Sequence, residues 1–277
     1  MAKALKQHWK TALLCLGVIL GGCLTVWPLL AANAAERTAS TVTADYRQTA
    51  AILEDTETAA LLAAADAYNA ALDGSYDPEQ YNSLLRLTED GMMGYIEIPK
   101  IGVELPIYHG TDTATLAKGV GHLPQTSLPV GGEGVHTALS AHSGMSGARM
   151  FTDLALLQEG DLFYIHILDR TLTYRVDEIN TVLPQDTELL EMQPGEDLCT
   201  LITCTPYGIN THRLLVRGRR VEAEPEADTA PEAAEPDTEA TTPSIWTRQY
   251  LFYIAIGTVT GLAAGGVILF LKIKQGW

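Results

Sequence analysis

Positive charge is scarce in this chain: 18 Lys and Arg stand against 34 Asp and Glu across 277 residues, a formal charge of −16 and a pI near 4.7. A nucleic-acid or anionic-lipid binder is excluded on that balance, because phosphate backbones are gripped by clustered Lys and Arg. Metal-ligand spacing is missing too. The chain contains neither C-x-x-C nor H-E-x-x-H, so neither a zinc site of those types nor any cofactor is implied. Internal repeats are absent. Cysteine is sparse at four residues, of which Cys15 and Cys23 sit in an apolar run that reads as packing surface.

Charge itself is absent from two stretches, residues 11–32 and 250–271, each of 22 residues. At a helical rise of about 1.5 Å per residue, each covers roughly 33 Å, enough to cross a bilayer core. Lys3, Lys6 and Lys10 precede the first and Lys272 and Lys274 follow the second. The positive-inside rule then places residues 1–10 and 272–277 in the cytoplasm and everything between the spans outside. Trp27, Trp246 and Tyr250 fall near the outer span ends, where amphipathic rings favour the interface. The first span has rivals. Ala32-Asn33-Ala34 is an acceptable cleavage signal, whereas the apolar run beyond Cys23 argues against lipidation there.

Within residues 33–91 the segment 44–72 has no Gly or Pro. Tyr46, Ala50, Leu53, Ala60, Ala64, Tyr68 and Leu72 recur near helical spacing and predict a helix with one apolar side, stopped at Asp73-Gly74. A further helical turn is expected over 81–87. From Gly94 the pattern becomes short alternating runs: 95–98, 103–108, 137–140, 162–168, 171–179, 198–203 and 213–221, with Phe151–Leu157 as one short helix. Strands at that spacing predict a β-barrel or sandwich over residues 92–220. The stretch 221–243 carries eight acids and four prolines with no Lys or Arg. It reads as a disordered spacer, 221–249, leading to the second span.

Cys199 and Cys204 are five positions apart. On one straight strand that is about 16 Å, and the odd spacing turns their side chains to opposite faces, so a disulfide between them is excluded. An exported, unpaired thiol at a strand end reads as a nucleophile. Arg213 lies nine residues on, across the turn 206–210, and can reach the thiol if the two strands are neighbours. His142, just past the strand 137–140 in Ala141-His142-Ser143-Gly144, is one candidate acid/base among six exported histidines.

The run Thr200-Leu201-Ile202-Thr203-Cys204-Thr205-Pro206-Tyr207-Gly208, followed by Asn210-Thr211-His212-Arg213-Leu214-Leu215-Val216-Arg217-Gly218, resembles the active-site strand-turn-strand of sortases, class C in particular. The resemblance runs from Met93-Gly94-Tyr95-Ile96-Glu97-Ile98-Pro99 through Gly121-His122-Leu123-Pro124 and Ala141-His142-Ser143-Gly144, covering residues 92–220 almost without a gap. It implies a mainly β fold, a closed eight-stranded barrel with short helices, preceded by a helical segment and flanked by two transmembrane helices. Cys204 would be the nucleophile, His142 the general acid/base and Arg213 the oxyanion or substrate-positioning cation. The implied reaction is transpeptidation. Cleavage between Thr and Gly of an LPxTG-like sorting signal gives an acyl-enzyme, which a pilin lysine resolves into an isopeptide bond. The implied partners are therefore pilins or surface proteins carrying such signals, at the outer face of the cell membrane. Anchoring to a peptidoglycan amine is the alternative acceptor reaction, and a tethered scaffold without turnover is the non-enzymatic one. Class C sortases commonly carry a lid, Asp-Pro followed by an aromatic. Here Asp77-Pro78 is followed by Glu79, so Asp77 with Tyr76 or Tyr81 could form the lid, or Asp77-Pro78 could simply start a helix.

Overall fold

The computed structural model describes residues 2–72, 77–144, 148–222, 251 and 254–256. The chain divides into two compact units: residues 1–35 with 146–148 and 242–277, and residues 36–145 with 149–241. The first contains the N-terminal part of helix α1 (Ala2–Ala51). The expected helix stop at Asp73-Gly74, nearly all of the acidic spacer and nearly all of the run 250–271 lie outside the described residues. Among the described residues no helix is long and apolar enough to cross a membrane, so the two expected spans rest on sequence alone.

Eight strands close the second unit into a barrel in the order β1-β2-β3-β4-β7-β8-β6-β5. They are β1 (Met92–Ile98), β2 (Val103–His109), β3 (Val120–His122), β4 (Val135–Ser140), β5 (Leu162–Ile167), β6 (Arg170–Val182), β7 (Asp197–Thr205) and β8 (His212–Arg220). The closed eight-stranded barrel is as expected. Seven strands were legible as alternating runs; β3, three residues long, was not, nor was α4 (Thr113–Lys118) just before it. The 151–157 segment forms only a 3-10 turn at Leu154–Leu156.

Inside and outside can be assigned from Gly218. A Cβ there would lie 2.5 Å from the Phe163 ring and 2.9 Å from Tyr174, and those two rings stack at 5.4 Å. Gly218 opposes Cys199. The set Cys199, Leu201 and Thr203 of β7, with Leu214, Val216 and Gly218 of β8, therefore faces the barrel interior. By the period-two rule Thr200, Ile202 and Cys204 face outward.

The helical segment is not one helix. α1 ends at Ala51 and α2 (Asp55–Ala70) begins after an extended Glu54. On α2 the buried face is Thr58, Leu62, Ala65 and Tyr68, whereas Ala60 and Ala64 are exposed. In so alanine-rich a stretch the apolar periodicity is blurred, because alanine suits either face. The end of α1 is pinned to the barrel by Tyr46 and Arg47. The buried Tyr46 hydroxyl donates to the Met93 carbonyl (2.7 Å) and accepts from the Leu168 amide (2.9 Å). Arg47 lies 4.5 Å over the Tyr95 ring, donates to its hydroxyl and pairs with Glu104 at 3.1 Å.

Short helix α3 (Pro78–Ser83) drives Tyr81 into the barrel wall. Tyr81 is fully buried; its hydroxyl accepts from Gly110 N–H (3.1 Å) and sits 2.8 Å from Nδ1 of the buried His122. The other ring nitrogen faces the Ser127 carbonyl at 2.8 Å, so Nε2 carries the proton and Nδ1 accepts from Tyr81. Burial is the main reason the His122 pKa falls, to about 4. Unfolded imidazole protonates around pH 6.5, so between that value and about 4 the unfolded chain binds the extra proton and the folded chain does not. Stability from this residue is thus fully present above pH 6.5 and is lost on descending through that window, by about 3 kcal/mol in all. Urea unfolding midpoints should fall between pH 7 and 4, and His122→Gln should flatten that slope.

Candidate active site

β7 sits between two neighbours that approach it differently. β4 is parallel to it, with Ser140 opposite Ile202. β8 is antiparallel, with Cys204 directly opposite Arg213. The β4 ladder persists one residue past the strand: Ala141 N–H donates to the Ile202 carbonyl (3.1 Å), and Thr203 Oγ1 donates to the Ala141 carbonyl (2.8 Å). Carried one residue further, the same register sets His142 beside Cys204. The three residues therefore form a row, His142–Cys204–Arg213, at the ends of three adjacent strands, all half-buried. Residues directly opposite in an antiparallel pair hold their Cβ atoms about 5 Å apart on one face, which joins the thiol to the guanidinium side.

The backbone around His142 is held on both flanks. Its carbonyl accepts from Phe151 N–H (3.0 Å), and Gly144 N–H donates to Thr152 Oγ1 (3.1 Å). Gly144 has φ +77° and lies under the Tyr207 ring, 2.6 Å from where a Cβ would be. The turn that follows Cys204 thus presses on the loop that follows His142. Arg213 Nη1 donates to the Asn210 and His212 carbonyls at 3.3 and 3.0 Å. That bonding fixes the cation at the open end of the row. His212 pairs with Thr205 and contacts Thr211 Oγ1 at 2.9 Å, on the opposite face by alternation.

The other β7 cysteine has a different chemistry. Cys199 is fully buried, and burial with nearby Asp197 pushes its thiol well above the ordinary range. Of the two β7 cysteines, Cys204 is the one with part of its surface open to solvent. Among the described residues no group of three His, Cys, Asp or Glu is arranged to hold a metal ion.

Two of the three lid candidates have other partners. Asp77 is the N-cap of α3, its carboxylate accepting from Glu79 and Gln80 N–H. No ion pair joins it to Arg213 among the described residues. Tyr81 points into the wall, committed to His122 and Gly110, rather than over the thiol. Tyr76 lies outside the described residues. Helix capping wins here because Asp followed by Pro is suited to that position. Asp77→Ala should cost about 1 kcal/mol in thermal or urea unfolding and leave thiol reactivity of Cys204 unchanged; faster alkylation of Cys204 would restore the lid.

A sortase-domain family profile matches residues 96–221. The crystal structure of sortase C1 from Streptococcus agalactiae superposes with a TM-score of 0.64 at 41% identity, covering 66% of this chain and 100% of that one. The chain belongs to the sortase family. Sortase C from Clostridium perfringens, solved with the C-terminal cell wall sorting motif, is similar at a TM-score of 0.61 and 42% identity, over 66% of this sortase and 100% of that chain. Among curated relatives, sortase D of Bacillus subtilis (strain 168) is 33% identical over 131 residues, 46% of this sortase and 63% of that protein. Sortase A of Streptococcus agalactiae serotype III (strain NEM316) is 30% identical over 145 residues, 51% and 58% respectively. This sortase spans about three fifths of the length of the curated relatives it matches.

Sequence reading missed one feature of the site. The connection 183–196 between β6 and β7 lies over the outer face of the catalytic strands. Leu190 packs with Val182 and Leu123 against Ala138, Ile202 and Leu215. No local motif announces that packing, since it depends on β4 and β7 being neighbours.

Proposed function

We propose that this sortase is a membrane-tethered cysteine transpeptidase that joins pilin subunits. The observation that carries the reading is the three-strand row: a half-buried thiol flanked on one side by an imidazole and on the other by a fixed guanidinium. Cys204, after giving its proton to His142, attacks the Thr carbonyl carbon of an LPxTG-like signal. Arg213 stabilises the oxyanion. Collapse breaks the Thr–Gly bond as His142 returns the proton to the departing Gly amine, leaving a thioester. A pilin lysine amine then attacks that thioester, its proton passes to His142, and the thiolate leaves as the isopeptide bond forms. No cofactor takes part.

Residues 11–32 and 250–271 tether the enzyme, with residues 33–220 outside and 221–249 as an acidic spacer; this part of the proposal rests on the charge-free runs and their basic flanks. Identity to Streptococcus agalactiae sortase C1 exceeds identity to the sortase A of the same species, 41% against 30%, which favours a pilin lysine over a peptidoglycan amine as acceptor. The test is competition. Detergent-purified full-length enzyme is given an LPxTG-type peptide with either a lysine-bearing pilin domain or a peptidoglycan stem-peptide amine, and products are read by mass. Isopeptide product on the pilin alone supports the proposal; product on the stem peptide alone replaces it with wall anchoring.

A further inference from the structure

His136 of β4 lies three rows below the catalytic row on the same outward face as His142, by the period-two rule. It is fully buried yet serves no step of the chemistry. Both ring nitrogens are engaged: Nδ1 lies 2.9 Å from the Glu191 carbonyl and Nε2 2.8 Å from Thr200 Oγ1. A carbonyl can only accept, so Nδ1 carries the proton, and Nε2 accepts from the threonine hydroxyl. Burial, with Arg217 adding to it, lowers the His136 pKa and so favours the neutral ring this pattern needs. Ser127, whose amide donates to the His136 carbonyl, also contacts the Met192 sulfur through its hydroxyl at 3.5 Å. Two successive residues of the 183–196 connection, Glu191 and Met192, are thus fastened around His136. The residue just before them is Leu190, packed over Ile202 and Leu215, which sit one step along their strands from Cys204 and Arg213.

We propose that His136 is a positioning residue for substrate: by bonding the Glu191 carbonyl it holds the 183–196 connection, and Leu190 in particular, as the apolar wall along which the residues preceding the scissile bond are laid toward Cys204. The wall touches the acyl side of the peptide in ground and transition state alike, so its loss weakens binding without slowing chemistry. The substrate half of this statement rests on the transpeptidase reading; the anchoring half does not.

Two replacements separate the nitrogens. The Asn amide nitrogen overlays Nδ1, so His136→Asn keeps the donor to Glu191. The Gln amide reaches the Nε2 position, so His136→Gln keeps the Thr200 side and loses the anchor. Hydrogen exchange of the full-length enzyme without peptide is expected to show about tenfold faster exchange across 188–192 in the Gln variant and little change in the Asn variant. With an LPxTG-type peptide, KM should rise about tenfold in the Gln variant, with kcat within about twofold, and return close to wild type in the Asn variant. Equal behaviour of the two variants, unchanged exchange, or a fall in kcat at constant KM overturns the proposal. If wild type turns over no sorting peptide, the transpeptidase reading fails and the exchange result alone decides the anchor. Should the Gln variant fail to fold, Leu190→Ala replaces it: loss of the apolar side chain from the wall should raise KM about threefold at constant kcat, and no rise refutes the role.

Discussion

Cys204→Ala is expected to abolish covalent capture of an LPxTG-type peptide: the acyl adduct seen by intact-mass spectrometry on the wild-type chain is absent from the variant, and turnover falls by roughly four orders of magnitude or more. The size of the effect follows from what is removed. In the proposed mechanism the thiolate alone bonds to the acyl carbon, a role neither Arg213 nor His142 can take over. Cys199→Ala is the matched control. That thiol faces the barrel interior and is held in its protonated form by burial, so its loss costs packing and leaves the adduct intact. An adduct surviving on Cys204→Ala would remove the nucleophile from the proposed site altogether.

The second large effect is expected at His142. His142→Ala should lower kcat/KM by about 10²- to 10⁴-fold, the usual range for a positioned acid/base, through slower leaving-group departure as well as slower attack. Thermal unfolding should move little, because what holds this loop is mainly backbone: Ala141 N–H on Ile202, Phe151 N–H on the His142 carbonyl, and Gly144 N–H on Thr152. Arg213→Ala is the neighbouring case, with a loss of about 10²- to 10³-fold expected from an oxyanion partner. An Arg213→Lys variant should recover only part of it, since an ammonium lacks the planar fork. If His142→Ala reacted at the wild-type rate, the parallel register would be bringing together the wrong pair.

How far these residues could be read from sequence depended on the range of the interaction. Cys204 and Arg213 share a hairpin, so a nine-residue separation across one turn was enough to bring them together. His142 reaches Cys204 only through the parallel pairing of β4 with β7, strands 62 positions apart in register. Spacing alone left it one histidine among several, and only the resemblance singled it out. The strands were legible where alternation ran for four residues or more; β3 was too short to alternate. The helical segment 44–72 failed differently, because a surplus of alanine hides which face is inward and lets the chain pause at Ile52–Glu54 without any Gly or Pro to signal it. Asp77 carried two meanings in sequence, lid and cap, and its hydrogen bonds show the cap. His136 carried no signal at all, since its partner carbonyl is 55 residues away.

The fastening of α1 through Tyr46 and Arg47 gives the enzyme a load path. A pull applied to the end of that helix would enter the barrel at Met93, Tyr95, Glu104 and Leu168. Those residues belong to β1, β2 and the end of β5. The strands carrying His142, Cys204 and Arg213 are β4, β7 and β8, on another arc of the closed ring. A pull on α1 is therefore received first by staves that do no chemistry, and it crosses to the reacting row only through the ladders of the closed ring.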